Sequence, residues 1–301
     1  MRRRKPDEGA ALEKLDAAAD AAANEVIEVY SSSFGLATRL LGRRHRQHVR
    51  NIYAMVRVAD EIVDGAGSEA GLDAAELSCR LDAYEQATHT AMREGFSTDL
   101  VLHAFARTAR AAGITEELTA PFFASMRTDL RADGTNALSF DAAAHAEYVY
   151  GSAEVIGLMC LRVFLREEQP SAERLALLER GARALGAAFQ NINFLRDLAD
   201  DTARLGRSYL APHGRLTPED HRRWTTTIRA QLDAAAESIP LLPRDARTAV
   251  RTAHALFRSL AERLEHTDVE ELYRRRVRVP QPQKLALTAG AALRTATELA
   301  R

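Results

Sequence analysis

Two short segments carry the residues whose types and spacing suit chemistry. The first is YAMVRVADEIVDG, Tyr53 to Gly65, where Tyr53, Arg57, Asp60 and Asp64 follow at spacings of 4, 3 and 4. On an α-helix those intervals bring all four onto one stripe. Ile52, Met55, Ala59 and Val63 make the opposite, apolar stripe. The second is QNINFLRDLADDTARLGRSYLAP, Gln190 to Pro212, where Gln190, Asn193, Asp197 and Asp201 recur at 3, 4 and 4, with Arg196 alongside. A lone DxxxD reads most simply as a solvated acidic face near a helix end. Two such stripes, each with an arginine one to three residues before an aspartate, carry more. If they face each other, four carboxylates converge, a cluster too costly to bury uncompensated. Mg²⁺ relieves that cost, because it binds through a few carboxylates, keeps water and takes substrate phosphates as further ligands. Arginine forks match phosphate oxygens, and Gln190 and Asn193 add neutral donors and carbonyl ligands. The chemistry expected is a magnesium-bridged diphosphate. The metal would make it a good leaving group by neutralising the charge that develops on departure. A second reading makes Arg57 and Arg196 internal ion-pair partners of the aspartates.

Such stripes need long helices, and helical patterning runs nearly end to end. Helices are expected over about residues 10–30, 46–63, 72–93, 99–112, 115–131, 141–166, 172–203, 218–238, 244–266 and 283–299. Gly113 and Gly134 are expected stops, and Thr217 a cap with Pro218 in the first turn. The mostly apolar segment 141–166 is expected to cross the core. There is no convincing period-2 alternation, no GxGxxG loop and no Ser/Gly/Pro linker. The expectation is one all-α domain over residues 10–301, a single bundle of long antiparallel helices, after a flexible basic tail over residues 1–9.

Composition narrows the classes. Hydrophobic residues are 46% and charged residues 28% of 301, which argues for a globular chain over a disordered one. A net charge of −1 gives no global field for nucleic acid, so no nucleic-acid partner is expected. Lys5, Lys14 and Lys284 are the only lysines, so arginine supplies nearly all the positive charge. Cys79 and Cys160 form no CxxC pair, and neither a disulfide scaffold nor a zinc site is expected. No run reaches about 18 apolar residues, so no transmembrane helix is expected. The start, MRRRKPDEGA, lacks the apolar stretch of a secretory signal. A cytoplasmic location, peripheral to a membrane surface, is expected. His45 and His48 are expected on a solvated basic face.

Taken together, four ordered blocks resemble the squalene/phytoene synthase family, the head-to-head prenyl diphosphate synthases, over about residues 27–290. They are SSSFGLATRLL (Ser31 to Leu41), YAMVRVADEIVD, MRTDL (Met126 to Leu130) with YVYGSAEVIGLM (Tyr148 to Met159), and QNINFLRDLADD with GRSYLAP. The whole pattern looks most like bacterial phytoene synthases. The resemblance implies an all-α isoprenoid synthase fold with a central cavity. It implies Asp60 and Asp64 as ligands of one magnesium cluster, and Asn193, Asp197 and Asp201 as ligands of another, with Mn²⁺ able to substitute. Ser31, Ser33, Tyr53, Arg57, Tyr148, Gln190 and Arg196 fall where the family contacts diphosphates and the reacting allyl groups. Arg276, beside Arg274 and Arg275, resembles a late diphosphate-contacting arginine. The activity implied is condensation of two prenyl diphosphates through a cyclopropylcarbinyl diphosphate, favouring C20 geranylgeranyl diphosphate and phytoene, without NADPH. The alternatives are a C15 substrate, as in squalene or dehydrosqualene synthase, and a non-catalytic helical assembly factor. Small Thr38, where a bulky aromatic would shorten the cavity, favours the longer substrate.

Locally, other readings stand beside these. Ser31 and Ser33 also suit a helix cap, Tyr148 and Tyr150 core aromatics, and Asp129 either a salt bridge or the site. The departures from the family pattern are Gly42 in place of Pro, Phe257 in place of Tyr, Tyr30 in place of His, Glu61 in place of Asp, Asp200 in place of Glu, and Glu154 in place of Gly. A glutamate inside that apolar segment needs a partner or a proton.

Overall fold

The computed structural model describes residues 9–130, 138–199, 207–211 and 214–299, and the fold is all-α. The helices are α1 (Ala10–Tyr30), α2 (Ser32–Arg39), α3 (Arg43–Asp64), α4 (Ala66–Glu69), α5 (Ala74–Glu94), α6 (Leu100–Ala112) and α7 (Glu116–Asp129). They continue as α8 (Ala142–Val149), α9 (Val155–Leu165), α10 (Ala172–Arg196), α11 (Pro218–Ser238), α12 (Arg244–Glu265), α13 (Val269–Leu272) and α14 (Gln281–Leu299). A two-residue parallel ladder, Leu138–Ser139 with Arg207–Ser208, is the extended structure among the described residues.

Local chemistry explains most boundaries. Asp73 opens α5 with a capping box to Glu76, and Thr217 opens α11 with one to Asp220. Asp99 accepts from Val101 and Leu102 at the start of α6. Gly95 and Gly113 end α5 and α6 with φ of 76° and 66°, a backbone state that other residues resist. The expected stop at Gly134 and most of the 1–9 tail lie outside the described residues.

Two large apolar cores result among the described residues, beside a small cluster of Ala19, Ala23, Ala54 and Ala104. One joins α3, α5, α6, α7 and α9 around Ile52, Met55, Phe105, Phe122 and Phe123. The other joins α8, α10, α11 and α12 around Ile192, Leu195, Ile228 and Leu264. The expected 141–166 helix is present but carries a π-turn over Tyr150–Glu154 between α8 and α9. Over Ala142–Leu165 it is long and apolar enough to cross a membrane, unlike the expectation, and 61% of its most apolar window is buried within the protein. Glycines seat it. A Cβ on Gly157 would stand 2.5 Å from the Ala182 carbonyl oxygen, and one on Gly186 would stand 2.6 Å from that of Ala153. The backbones of α9 and α10 therefore touch.

The expectation for His45 and His48 is corrected. His45 is fully buried. Arg166 donates to its Nδ1 at 3.0 Å, which leaves Nε2–H to donate to Asp245 at 3.1 Å. Asp245 also takes both arms of Arg44, at 2.7 and 2.9 Å. His48 bonds the Thr108 hydroxyl at 2.9 Å, and burial pushes its pKa down to about 4. Gly42, the departure from Pro, donates its N–H to the Asp245 carbonyl at 2.8 Å, a bond proline lacks.

Candidate active site

Helix direction decides at which end of the bundle each acidic motif lies. At the C-terminal end of α9, Arg44 of α3 reaches Glu167 at 2.9 Å and His45 packs edge-on against Phe164. At the same end, Arg174 of α10 reaches Glu168 at 2.9 Å. Both α3 and α10 then run back along α9. Their C-terminal turns, which carry Asp60, Asp64, Asn193 and Asp197, therefore lie toward one end of the bundle.

The stripes read from the sequence are real on α3. Tyr53, Arg57, Asp60 and Asp64 are half-buried, while Ile52, Met55, Ala59 and Val63 are buried. On α10 the half-buried stripe runs from Ala182 and Gly186 through Phe189 and Gln190 to Asn193, Arg196 and Asp197. It is apolar and small in its first half and polar at its end. The expected helix 172–203 stops earlier. Asp197 follows Arg196 with φ −99° and ψ 9°, and so closes α10. The proposed helical stripe is thus broken at Asp197, and Asp201 lies outside the described residues, as does the side chain of Ser33.

Each aspartate motif already holds an arginine. Arg57 donates to Asp60 at 2.8 Å and also pairs with Glu61. Its guanidinium lies 4.4 Å from the Tyr30 ring centroid. Burial works to lower the Arg57 pKa, but Asp60 and Glu61 outweigh it and leave the pKa raised. Asp197 receives Arg196 Nε at 2.9 Å and Arg276 Nε at 2.7 Å. Of the three consecutive arginines, Arg276 is the one on Asp197, and Arg275 pairs with Glu271. The ion-pair reading of Arg57 and Arg196 is the arrangement found. Ser31 caps α2, accepting from the Phe34 N–H at 3.2 Å, and is hydrogen-bonded to Tyr53. Tyr53 stacks on Phe34 at 5.6 Å. Burial raises its phenol pKa, against the pull of Arg57.

Two observations bear on a cation. A helix C-terminus carries partial negative charge, so acidic residues there are unfavourable until a cation joins them. Asp60 and Asp64 occupy the end of α3, and its last turn has no basic residue. Asn193 Oδ1 is buried without a hydrogen-bond partner, although a buried amide oxygen normally has one. Among the described residues, no group of three His, Cys, Asp or Glu side chains gathers closely enough to hold a metal alone. A divalent ion there would need the Asn193 oxygen, water and substrate phosphate besides the aspartates, which is how Mg²⁺ is usually bound.

Sequence reasoning missed Tyr209, though GRSYLAP was in view. Asp129 is 1% exposed, and the hydroxyls of Tyr148 and Tyr209 donate to it, each at 2.7 Å. Burial and Asp129 raise the Tyr148 phenol pKa well above its ordinary value. Tyr148 is thus both a buried aromatic and a member of a polar group. Glu154 finds its partner in Arg183, whose Nε donates at 2.6 Å. Phe257 stacks on Phe189 of the α10 stripe at 3.7 Å. Thr38 is 3% exposed and bonds the Gly35 carbonyl, so it does not line open space.

The fold and this acidic end define a class. A profile of the squalene/phytoene synthase family matches residues 27–213, and the chain belongs to that family. Among curated proteins, it is 29% identical to phytoene synthase 3, chloroplastic, of Zea mays over 293 residues, 90% of this chain and 65% of the maize protein. It is 27% identical to the 15-cis-phytoene synthase of Enterobacter agglomerans over 288 residues, covering 88% and 92%. Among solved structures, a ligand complex of a dehydrosqualene synthase superposes with a TM-score of 0.70 at 23% identity, covering 97% of this chain and 100% of that one. A squalene synthase from Alicyclobacillus acidocaldarius gives 0.67 at 20%, covering 86% and 95%. The fold is therefore the isoprenoid synthase fold. Within the family the chain is phytoene-synthase-like.

Proposed function

We propose that this protein is a prenyltransferase that joins two prenyl diphosphates head to head, with C20 geranylgeranyl diphosphate as substrate and phytoene as product. The observation that carries it is the unpartnered Asn193 oxygen one turn before Asp197, with two arginine-bearing aspartate motifs toward one end of the bundle. Asp60, Asp64, Asn193 and Asp197 would hold Mg²⁺, with Asp201 completing the second motif. When bound, the metal would neutralise negative charge on the departing diphosphate. Arg57, Arg196 and Arg276 keep the aspartates paired before substrate arrives and then turn their forks to phosphate oxygens. The small, apolar first half of the α10 stripe lies where a hydrocarbon tail needs a wall without water. One allylic C–O bond breaks, and the double bond of the second substrate attacks the cation with loss of a proton, giving a cyclopropylcarbinyl diphosphate. A second ionisation opens and rearranges the ring, and a final proton loss gives the hydrocarbon. No reductant is consumed.

The choice of C20 over C15 rests on the phytoene synthase relatives. The test is product analysis with C15 and C20 diphosphates and Mg²⁺, with and without NADPH. A C40 hydrocarbon from the C20 substrate, unchanged by NADPH, is expected. C30 product alone would replace the substrate and keep the reaction class. No diphosphate release from either substrate would end the enzymatic reading.

A further inference from the structure

Helix α14 is amphipathic the wrong way round for a surface helix. Leu285, Ala286, Ala289, Ala292, Leu293 and Ala296 recur at spacings of 1, 3, 3, 1 and 3, which puts them on one face. All six are exposed, Leu285 by 63% and Leu293 by 67%. The opposite face holds the helix to α12 through polar groups. Gln283 donates to the Ser259 hydroxyl at 2.8 Å and accepts from Arg263 at 2.6 Å. Arg251 donates to the Thr295 hydroxyl at 2.6 Å and to Glu298 at 2.7 Å. A surface helix ordinarily turns its apolar stripe to the core and its polar side to water. Here the polar side is packed and the apolar stripe is left outside.

The charge of the same segment is equally lopsided. Between 274 and 298 the chain carries Arg274, Arg275, Arg276, Arg278, Lys284 and Arg294 against one acid, Glu298, while the whole chain has a net charge of −1. Glu298 is taken by Arg251, and Arg275 and Arg276 pair with Glu271 and Asp197. Arg274, Arg278, Lys284 and Arg294 are in no ion pair among the described residues. Arg278 and Arg294 are exposed.

Two occupants fit an exposed apolar stripe, a second copy of this chain and a lipid surface. From Leu285 to Ala296 the stripe is about 17 Å long and no wider than the helix, about 10 Å. That is a small fraction of the ~800 Å² that each partner of a stable complex buries. A lipid surface needs less. A helix lying in the bilayer interface sinks its apolar face about 5–10 Å among headgroups and acyl chains, and neighbouring cations add attraction to anionic lipid. Two leucines alone give a weak anchor, and the basic residues supply the second signal.

We propose that α14 docks this protein reversibly on an anionic phospholipid surface. The helix lies in the interface without crossing it. Leu285 and Leu293 are its anchors, and Arg278 and Arg294 supply charge. The proposal stands on α14 and the segment before it, and does not depend on the prenyltransferase reading.

The test mixes the full chain with sedimentable vesicles of phosphatidylcholine, with and without phosphatidylglycerol, and measures the bound fraction. Binding to the anionic vesicles should be roughly tenfold tighter or more, and high salt should abolish the difference. Leu285→Gln combined with Leu293→Gln should weaken binding to anionic vesicles roughly tenfold or more. Arg278→Gln combined with Arg294→Gln should weaken it roughly twentyfold, at about fivefold per charge. All four side chains are exposed, so circular dichroism should match wild type. Sedimentation velocity without lipid should give the leucine variant the same mass as wild type. A smaller mass for that variant assigns the stripe to a second copy and overturns the proposal. Equal binding to the two kinds of vesicle, or none to either, overturns it as well, as does binding that survives the leucine changes. Where the leucine variant does not fold, Ala289→Glu, in the middle of the stripe, decides in its place. Unchanged binding in that variant overturns the proposal equally.

Discussion

The two ends of the bundle use the same residue types to opposite ends. At the acidic end, Arg57 pairs with Asp60 three residues on, and Arg196 with its neighbour Asp197. These pairs are local, half-buried and easily broken. Arg276 is 44% exposed. At the other end, Arg44 grips Asp245 across 201 residues of sequence, and Arg166 grips His45 across 121. His45 is fully buried, and both its ring nitrogens are engaged. Local pairs add little that a helix does not already have. Long-range pairs tie α3, α9 and α12 into one joint. The first end is built to exchange partners, and the second to keep them.

Removing a carboxylate should therefore abolish activity at one end and lower stability at the other. Asp60→Ala and Asp197→Ala are expected to cut turnover by roughly a thousandfold or more, the scale of losing charge that a catalytic metal balances. The fold should persist, since each variant frees an arginine that is already partly in water. Product assays beside circular dichroism check both halves. Retention of more than a few per cent of turnover in either variant would remove that aspartate from the metal site.

Asp245→Ala is the matched change at the far end. It leaves Arg44 without its bidentate partner and His45 Nε2–H without an acceptor in a buried place. Breaking a fully buried pair costs about 3–5 kcal/mol. The Asp245 side chain is 36% exposed, so we expect about 2 kcal/mol, with kcat unchanged at a temperature where the variant is folded. Urea denaturation reads the first quantity and product formation the second. A large loss of kcat in the folded variant would show that the joint also shapes the acidic end.

This contrast also explains what the sequence made legible. The α3 stripe was readable because a 3.6-residue period with apolar residues opposite polar ones has one reading. The ends of α1 and α11 were readable because composition, a threonine cap and a proline mark them. The break at Asp197 was not, since nothing in QNINFLRDLADD interrupts helix propensity and tertiary context sets the stop. His45 and His48 were misread for a related reason. RRHRQHVR looks solvated in isolation, and the partner that makes burial affordable is Asp245, far along the chain. Tyr209 was missed because a single tyrosine in a turn-rich segment has no pattern. Only its meeting with Asp129 and Tyr148 gives it one.

The smallest expected effect lies in the pH dependence of stability, and it separates histidine from carboxylate at the joint. His48 has its pKa pushed down to about 4, first by burial and then by Arg166 and Arg107. In the unfolded chain it returns to about 6.5. Between those values the unfolded state takes up a proton that the folded state refuses. Stability should therefore fall as pH drops from about 6.5 toward 4, and this contribution should level off below. His145, at the other end and pushed down to about 4 by burial, adds a slope of the same sign. Each contributes at most about 1.4 kcal/mol per pH unit, and His48 less because solvent reaches part of it. Asp245 acts lower on the scale. Its hydrogen bonds from Arg44 hold its pKa well below the usual carboxylate range, so its share is lost only below about pH 4. His48→Asn keeps a partner for the Thr108 hydroxyl and removes the titration. Its melting temperature, followed from pH 7 to pH 4, should fall less steeply than that of wild type. An unchanged slope would mean that His48 carries a proton in the folded protein, and that the joint tolerates a third cation beside Arg44 and Arg166.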